Sequence, residues 1–241
     1  MRRKGVFEFK QFSIHQEHSG MKVGTDSDLL GTLSAGGNRI LDIGTGTGVL
    51  ALMLAQRCPN AQITAIEIDE NAMLDATVNI SESAFKDRIS LHHISFQDFM
   101  KSDELPVYDS VICNPPYFDK SLECPDESRT RARHTSSLPF PVLVDGAYRL
   151  LEDGGVFSVC IPGEVLEDFK TECLLRGFWL KDIYKVKSVP DAEAKRYVLV
   201  HRKGRMIEPV EHECCMRNED RTLSEWYLEL MQDFHKRNKK E

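Results

Sequence analysis

A glycine-rich turn between an apolar strand and a helix is the feature that most restricts how this chain can fold. Residues 39–43 have the apolar pattern of a buried strand, and Gly-Thr-Gly-Thr-Gly follows at residues 44–48. Residues 49–58 then have the apolar spacing of a helix that ends before Pro59. Glycine lets backbone approach a ligand closely, and a helix N-terminus adds a partial positive charge. The turn therefore predicts a ligand site at the carboxyl end of a strand.

Strand-like and helix-like segments alternate along the rest of the chain. The predicted strands are residues 63–68, 89–94, 108–113, 156–161, 179–186 and 196–201, and the predicted helices are residues 70–82, 141–151 and 164–175. Residues 7–14 predict a short edge strand, residues 21–33 contain a helix that Thr25 can cap, and another helix begins near Thr222. This alternation predicts an α/β fold with a mostly parallel sheet and helices on both faces.

Length and composition indicate one domain. A chain of 241 residues, 41% hydrophobic and 29% charged, suits a single soluble α/β domain. We divide it into an N-terminal extension (1–36), an α/β core (37–203) and a polar C-terminal segment with a helix (204–241). The chain has no apolar run near the roughly 18 residues of a membrane helix, and its seven cysteines lack CxxC spacing. We therefore expect a cytoplasmic protein with no membrane segment, metal site or disulfide framework.

The charge pattern bears on nucleic-acid binding. A formal net charge of −7 argues against a protein that coats itself on nucleic acid, because such affinity comes from neutralising phosphates. Cationic residues nevertheless cluster at both ends of the sequence, where charge runs are usually solvated tails, and at Arg129, Arg131 and Arg133. This middle group is a candidate for phosphate contacts, with solvated surface as the alternative.

Asn114, Pro115, Pro116 and Tyr117 form a second candidate site directly after the predicted strand 108–113. The two prolines stiffen the loop, Asn114 offers an amide donor and a carbonyl acceptor, and Tyr117 offers a flat aromatic face. This combination suits a planar group that carries an amine. The alternative is a simple turn in which Asn-Pro starts the turn and Tyr117 covers the core.

The spacing of the glycines separates two kinds of cofactor. A dinucleotide site needs GxGxxG, but Val49 occupies the third glycine position after Gly44 and Gly46. Residues 41–48, together with Ile66-Glu67-Ile68-Asp69, instead resemble the S-adenosylmethionine turn and acidic loop of class I methyltransferases. Glu67 lies 23 residues after Gly44, near the offset of roughly 20 residues at which an acidic residue meets ribose hydroxyls.

The resemblance implies a Rossmann-like class I methyltransferase fold. Its sheet has seven strands, mostly parallel, with helices on both faces and an antiparallel last strand. Asp98, after the third core strand, resembles the acid that contacts adenine in this family, although a helix or turn cap is the alternative. In the branch that methylates amines, an NPPY motif after the fourth strand holds a nitrogen conjugated to a π system. Residues 114–117 match this motif, so the resemblance implies the same role for them.

A narrower resemblance covers most of the chain from Phe9 to about His201. Phe9-Lys10-Gln11-Phe12, Met21-Lys22-Val23-Gly24-Thr25-Asp26 and Leu29-Leu30-Gly31 resemble the bacterial tRNA(Val) adenine N6-methyltransferase family, as do Asn114 to Tyr117 and Arg131-Ala132-Arg133-His134. The family resemblance implies methyl transfer from S-adenosylmethionine to N6 of the adenine 3′ of the anticodon. It also implies that the segment before the glycine turn packs over the methionine end of the donor.

The resemblance and the motifs together define the candidate site residues. The catalytic candidates are Asn114, Pro115 and Tyr117. The candidates for cofactor binding are Lys22, Thr25, Asp26, Asp42, Gly44, Gly46, Gly48, Glu67, Ile68, Asp98 and Asn114. The candidates for RNA binding are Arg129, Arg131 and Arg133. We expect tRNA as the partner, no metal and a monomer.

Several other functions share parts of this pattern. A release-factor glutamine N5-methyltransferase carries a helical domain before the glycine turn, for which the 43 residues ahead of Gly44 are too few. DNA adenine methyltransferases generally add a target-recognition domain. A ribosomal RNA guanine N2-methyltransferase stays open, although another aromatic is commoner than Tyr117 in its loop. Outside this class stand a module that binds donor or RNA without turnover, and a nicotinamide-dependent dehydrogenase.

Overall fold

An eight-stranded sheet forms the centre of the protein in the computed structural model, which describes residues 5–115 and 138–236. The strands of these two ranges are β1 (Val6–Glu8), β2 (Ser13–His15), β3 (Arg39–Ile43), β4 (Gln62–Glu67), β5 (Ile89–His93), β6 (Tyr108–Cys113), β7 (Leu151–Pro162), β8 (Phe178–Lys187), β9 (Arg196–Lys203) and β10 (Val210–Cys215). The first two form a separate hairpin. The other eight lie in the order β10-β8-β9-β7-β6-β3-β4-β5.

The direction of the strands follows the predicted pattern at one edge of the sheet and departs from it at the other. Strands β5, β4, β3, β6 and β7 are all parallel, and β9 runs antiparallel to both β7 and β8. The mostly parallel sheet is therefore confirmed, and the antiparallel strand expected to be the last is β9, the seventh strand of the sheet along the chain. The expected count of seven strands is wrong, because β10 adds an eighth strand parallel to β8.

The helices cover both faces of the sheet, as predicted. In the described ranges they are α1 (Thr25–Leu33), α2 (Val49–Arg57), α3 (Glu70–Ser81), α4 (Phe96–Phe99), α5 (Phe140–Leu150), α6 (Leu166–Arg176) and α7 (Glu225–Leu230). One apolar cluster joins the sheet to α1, α2, α3 and α7, and a second joins it to α4, α5 and α6. In sheets of this kind, ligands bind at the carboxyl ends of the parallel strands.

The N-terminal segment differs from the single edge strand that its sequence predicts. Strands β1 and β2 pair antiparallel, with Phe9 and Phe12 stacked at the bend at a ring separation of 4.5 Å. The Lys10 N–H donates to the carbonyl oxygen of Phe234 over 2.8 Å. The segment after α7 therefore holds the hairpin against the body of the protein.

The caps of two predicted helices can be compared directly. Gly24 is the N-cap of α1, and Thr25 is the first residue of that helix, so the expected cap at Thr25 is wrong. Ser224 caps α7, where its Oγ accepts the Tyr227 N–H over 3.1 Å. None of the helices in residues 5–115 and 138–236 has the length and apolar character needed to cross a membrane.

Candidate functional site

Three strand ends meet in register at the carboxyl edge of the sheet. Ile43 of β3 pairs with Ile66 of β4 on one side and with Cys113 of β6 on the other. Gly44, Glu67 and Asn114 therefore occupy the next position on three adjacent strands. Since neighbouring strands lie about 4.8 Å apart, the backbones of Glu67 and Asn114 flank the glycine turn across roughly 10 Å.

The glycine turn needs its glycines for conformation and leaves open space beside them. Gly44, Gly46 and Gly48 have φ angles of 69°, 59° and 80°, in the left-handed region that disfavours other residues. A Cβ added at Gly44 or Gly46 would meet nothing within 4 Å in the described residues. The N–H groups of Gly44 and Thr45 donate to Ile66 O at 3.0 Å, which fixes the turn against β4. The turn is therefore a rigid, open backbone surface.

Glu67 is buried and held at the turn by backbone donors. Its Oε2 accepts the Gly46 N–H, and its Oε1 accepts the N–H groups of Ile68 and Asp69, each at 2.8 Å. A carboxylate oxygen has two acceptor positions, so Oε1 is filled by these bonds and Oε2 can accept one more donor. This geometry suits a carboxylate that receives a ligand hydroxyl beside the turn.

Asp42 lies in β3 under the turn and is fully buried. Its Oδ2 accepts the Thr45 hydroxyl at 2.6 Å, whereas its Oδ1 receives no hydrogen bond of normal geometry from the described residues. Burial raises the pKa of Asp42 and the nearby charge of Glu67 adds to this shift, while hydrogen bonds from Thr45 and the Ala51 backbone oppose it, so that the pKa is about 7. Asp42 thus stabilises the turn through its bond with Thr45, and its Oδ1 lies beneath the turn without a hydrogen bond of normal geometry from the described residues.

Residues 15–26, which we call the cover segment, run from the last residue of β2 into the first turn of α1. Within it, Lys22 Nζ donates to the backbone oxygen of Gln16, and the Val23 N–H donates to Gln16 Oε1 at 2.8 Å. Asp26 forms an ion pair with Arg196 at the start of β9. Because Arg196 pairs in register with Pro162, the end of the cover segment lies at the carboxyl end of β7.

Asp98 and Ile68 lie shortly after the ends of β5 and β4. Asp98 is in α4, where Oδ2 accepts the Ser95 hydroxyl and Oδ1 contacts Lys101 Nζ, both at 2.7 Å. The Lys101 contact, and then the Ser95 bond, lower the pKa of Asp98. Asp98 therefore takes part in a helix cap, and its expected contact with adenine stays a prediction. The Ile68 side chain is 47% exposed, and its carbonyl oxygen lies 3.0 Å from His93 Nε2.

The loop that carries the catalytic candidates is described only at its first two residues. Asn114 is half-buried and Pro115 is buried directly after β6. Pro116, Tyr117, Arg129, Arg131 and Arg133 lie outside the described residues, so their roles stay predictions. Within residues 5–115 and 138–236, no group of three or more His, Cys, Asp or Glu side chains is arranged to hold a metal ion.

Sequence reasoning missed several residues that shape this edge. Arg196 pairs with Asp26 from 170 positions away, and no local pattern reveals such a contact. Asp75 and Asn79 of α3 bind the cover segment. A signal for this second pair exists in the sequence: they lie four residues apart on the face of α3 that also carries Ala72, Ala76 and Ile80, where an apolar residue is expected.

The chain is similar to known methyltransferases in sequence. Residues 18–161 match the family model described as the methyltransferase small domain. A protein of Phocaeicola vulgatus named tRNA1(Val) (adenine(37)-N6)-methyltransferase is 39% identical over 95% of this chain and 97% of its own length. A protein of the same name from Tolumonas auensis is 38% identical over 96% of this chain and 97% of its own.

Solved structures share the fold. One described as a predicted O-methyltransferase from Agrobacterium tumefaciens has a TM-score of 0.68 at 20% identity, over 87% of this chain and 96% of its own. A 16S rRNA guanine N2-methyltransferase of Thermus thermophilus, solved with S-adenosylmethionine and guanosine, has a TM-score of 0.54 at 22% identity, over 80% of this chain and 47% of its own. The fold is thus that of class I methyltransferases, and the chain belongs to the tRNA1(Val) (adenine(37)-N6)-methyltransferase family.

Proposed function

We propose that the protein transfers a methyl group from S-adenosylmethionine to the exocyclic N6 of an adenine in tRNA, the adenine 3′ of the anticodon of tRNA(Val). The observation that carries the proposal is the register of the carboxyl edge, where Gly44, Glu67 and Asn114 stand at one level on adjacent strands. A donor-binding turn, a carboxylate for hydroxyls and an amide for the acceptor then lie side by side. The names of the curated relatives support the substrate.

The residues at the edge fit the donor. The open space beside Gly44 and Gly46 admits a ligand against backbone, and Glu67 Oε2 can accept a ribose hydroxyl. Ile68 and Asp98 lie shortly after the ends of two neighbouring strands, where an adenine ring would be held, and Lys22, Thr25 and Asp26 lie on the cover segment toward the methionine end. Bound S-adenosylmethionine supplies an electrophilic methyl group.

The acceptor amine needs help of a particular kind. The exocyclic nitrogen of adenine is a poor nucleophile because its lone pair is delocalised into the ring. If the Asn114 side chain and the Pro115 carbonyl accept its two N–H bonds, the lone pair turns out of the ring plane, and charge growing on nitrogen meets preorganised dipoles. The methylated nitrogen is then acidic enough to lose a proton without a strong base.

Recognition of the base and of the RNA belongs to residues outside the described ranges. Tyr117 would stack on the adenine, which is worth about 1–3 kcal/mol per base and offsets the few kcal/mol that unstacking costs. Arg129, Arg131 and Arg133 would contact phosphates. We further propose that the protein acts as a monomer in the cytoplasm, where tRNA is modified.

Incubation with radiolabelled S-adenosylmethionine and one of three acceptors, bulk tRNA, ribosomal RNA or a release factor, tests the proposal. We expect label in tRNA, recovered as N6-methyladenosine after nucleoside analysis. Label in the release factor would instead indicate glutamine methylation, and label in ribosomal RNA as N2-methylguanosine would indicate the guanine activity. Binding of the donor without label in any acceptor would indicate that the protein is a binding module without turnover.

A further inference from the structure

Two polar side chains of α3, Asp75 and Asn79, are buried almost completely. Their exposures are 2% and 1%. Burying a carboxylate or an amide is costly unless hydrogen bonds replace those of water, so such residues are kept where their bonds matter. Neither residue belongs to the donor or acceptor contacts proposed above, yet both bind the cover segment.

Asp75 gathers the backbone of the cover segment at one point. Its Oδ2 accepts the N–H groups of His18, at 3.0 Å, and Ser19, at 2.7 Å. Its Oδ1 lies 2.9 Å from His18 Nδ1. Burial alone would raise the pKa of Asp75, but the bonds from His18 and Ser19 outweigh burial and lower it. The carboxylate is thus the fixed centre of this bend in the chain.

Asn79 joins the cover segment to the glycine turn. Its Oδ1 accepts the His15 N–H at 2.7 Å. Its Nδ2 donates to two carbonyl oxygens, those of His15 and Thr47, each at 2.9 Å. Both amide hydrogens and the carbonyl are therefore used, in the orientation in which every contact pairs a donor with an acceptor. One side chain thus connects both segments that would surround the donor.

The far end of the cover segment is fixed at another strand. Asn79 holds His15 beside the turn that follows β3, whereas the Asp26–Arg196 ion pair lies at the carboxyl end of β7. Strand β6 lies between β3 and β7 in the sheet. The cover segment therefore crosses the carboxyl end of β6, where Asn114 begins the loop that carries the catalytic candidates.

We propose that Asn79 and Asp75 are positioning residues of the donor site: they hold the cover segment against the glycine turn and thereby set the affinity for S-adenosylmethionine. The proposal rests on the proposed donor and names a determinant of its binding. Because the hydrogen bonds of Asp75 and Asn79 go to the cover segment and the glycine turn, their loss should weaken donor binding far more than it slows methyl transfer at saturating donor.

The first test compares donor binding and turnover in Asn79→Ala, Asp75→Ala and Asp75→Asn. We expect Asn79→Ala and Asp75→Ala to raise the Kd for S-adenosylmethionine, measured by calorimetry, at least tenfold, with kcat on tRNA at saturating donor within about threefold of wild type. Asp75→Asn keeps a carbonyl oxygen for the His18 and Ser19 N–H groups, so its Kd should stay within about threefold of wild type.

Phe178→Leu is a matched control for lost stability, because Phe178 is buried in the cluster on the other face of the sheet. It should unfold more easily with an unchanged Kd. Equal donor affinity in Asn79→Ala and wild type would overturn the positioning role, as would a Phe178→Leu variant weakened as much as Asn79→Ala. Wild-type protein that binds no donor would instead refute the proposed function, and the positioning role with it.

Hydrogen exchange gives a readout that needs only wild-type protein. Donor binding should slow exchange of the His15, His18 and Ser19 amides at least tenfold, since these donate to Asn79 and Asp75. The amides of β10, at the far edge of the sheet, serve as the internal reference. Unchanged exchange in the cover segment when donor saturates the protein would contradict the proposal even if the variants do not fold.

Discussion

In the proposed mechanism, Asn114 is the residue on which the chemistry of the acceptor depends most. It follows β6 directly and is half-buried beside the glycine turn. We expect Asn114→Ala to lower the rate of methyl transfer by about 10²-fold or more, because in the proposed mechanism the removed oxygen is a preorganised acceptor for the reacting amine. Donor affinity should stay within a few-fold. Single-turnover methylation of tRNA and calorimetry with S-adenosylmethionine measure the two quantities.

The contrast between the two measurements decides the role of Asn114. An equal loss of donor affinity and methyl transfer would show that the side chain holds the cofactor instead of the acceptor. Asn38 offers a control of the same residue type: it lies at the opposite end of β3, and Asn38→Ala should leave both quantities near wild type.

Asp42 gives the donor-free protein a pH-dependent stability. Its pKa is about 7 in the folded state against an ordinary 3.8, chiefly through burial. Between these values the folded protein holds a proton that the unfolded chain has released, so the free energy of unfolding falls as the pH rises from about 4 to about 7. The full effect is on the order of 4 kcal/mol, at about 1.4 kcal/mol per unit.

Urea unfolding between pH 5 and pH 8 measures this dependence. Asp42→Asn should flatten the dependence of the free energy of unfolding on pH, because it removes the titrating carboxyl that lies near Thr45, Glu67 and Cys113. Asp103→Asn changes an exposed carboxyl in the loop before β6 and should keep the wild-type slope. Identical slopes in Asp42→Asn and wild type would assign the pH dependence to other groups.

Sequence patterns predicted the residues at the carboxyl edge of the sheet that directly follow strands. They did not predict the contacts that residues distant in sequence make with this edge. Gly44, Glu67 and Asn114 could be predicted because a strand end and a local motif mark each one. The Arg196–Asp26 and Asn79–Thr47 contacts could not be predicted, because the partners lie 170 and 32 positions apart. The pattern of α3 marks Asn79 as a polar residue on an apolar face, but it does not show what Asn79 binds. Such contacts exist only once the sheet is assembled.

At the scale of elements, α5 packs so closely against α4 that the contact leaves little room for a larger side chain at Gly146. A Cβ at Gly146 of α5 would lie 2.4 Å from Phe96 Cζ, and the buried Phe96 ring begins the helix that carries Asp98. We expect Gly146→Ala to lower the free energy of unfolding by about 1–3 kcal/mol through overpacking, despite the roughly 1 kcal/mol that alanine gains in a helix.

Chemical denaturation of Gly146→Ala, beside Gly20→Ala, measures this close approach. A Cβ at Gly20 meets nothing within 4 Å, so that variant should lie within about 0.5 kcal/mol of wild type. A Gly146→Ala variant as stable as wild type would mean that the Phe96 ring can move aside without strain.

The edge elements were harder to predict than the central ones. The buried strands β3, β6 and β9 are apolar runs whose length and composition indicate strands from sequence alone. Strand β10 reads Val-Glu-His-Glu-Cys-Cys, of which only Cys214 is buried, and ion pairs such as Lys185–Glu211 at 2.5 Å line its contact with β8. A polar edge strand carries no hydrophobic run, so its existence depends on the partner strand.

At the scale of the whole molecule, an acidic protein must still attract a polyanion. Replacing Arg129, Arg131 and Arg133 with Gln should weaken tRNA binding and flatten its salt dependence by about 0.7–0.9 units of slope per lost phosphate contact. Binding titrations over a range of salt concentrations measure this change. Replacing Arg237, Lys239 and Lys240 instead should leave the slope unchanged. An unchanged slope in the first variant would indicate that its three arginines are solvated surface residues that contact no phosphates.

The position of β10 has a consequence for the order in which the chain assembles. Strand β10 follows β9 in sequence but pairs with β8, so residues 204–209 pass the start of β8 to reach the sheet edge. Among the described strands, β10 pairs with β8 alone, so no template for β10 exists until β8 is in place. We therefore expect β10 to join last during refolding, and the tie between Phe234 and the hairpin at Lys10 to close only after that step.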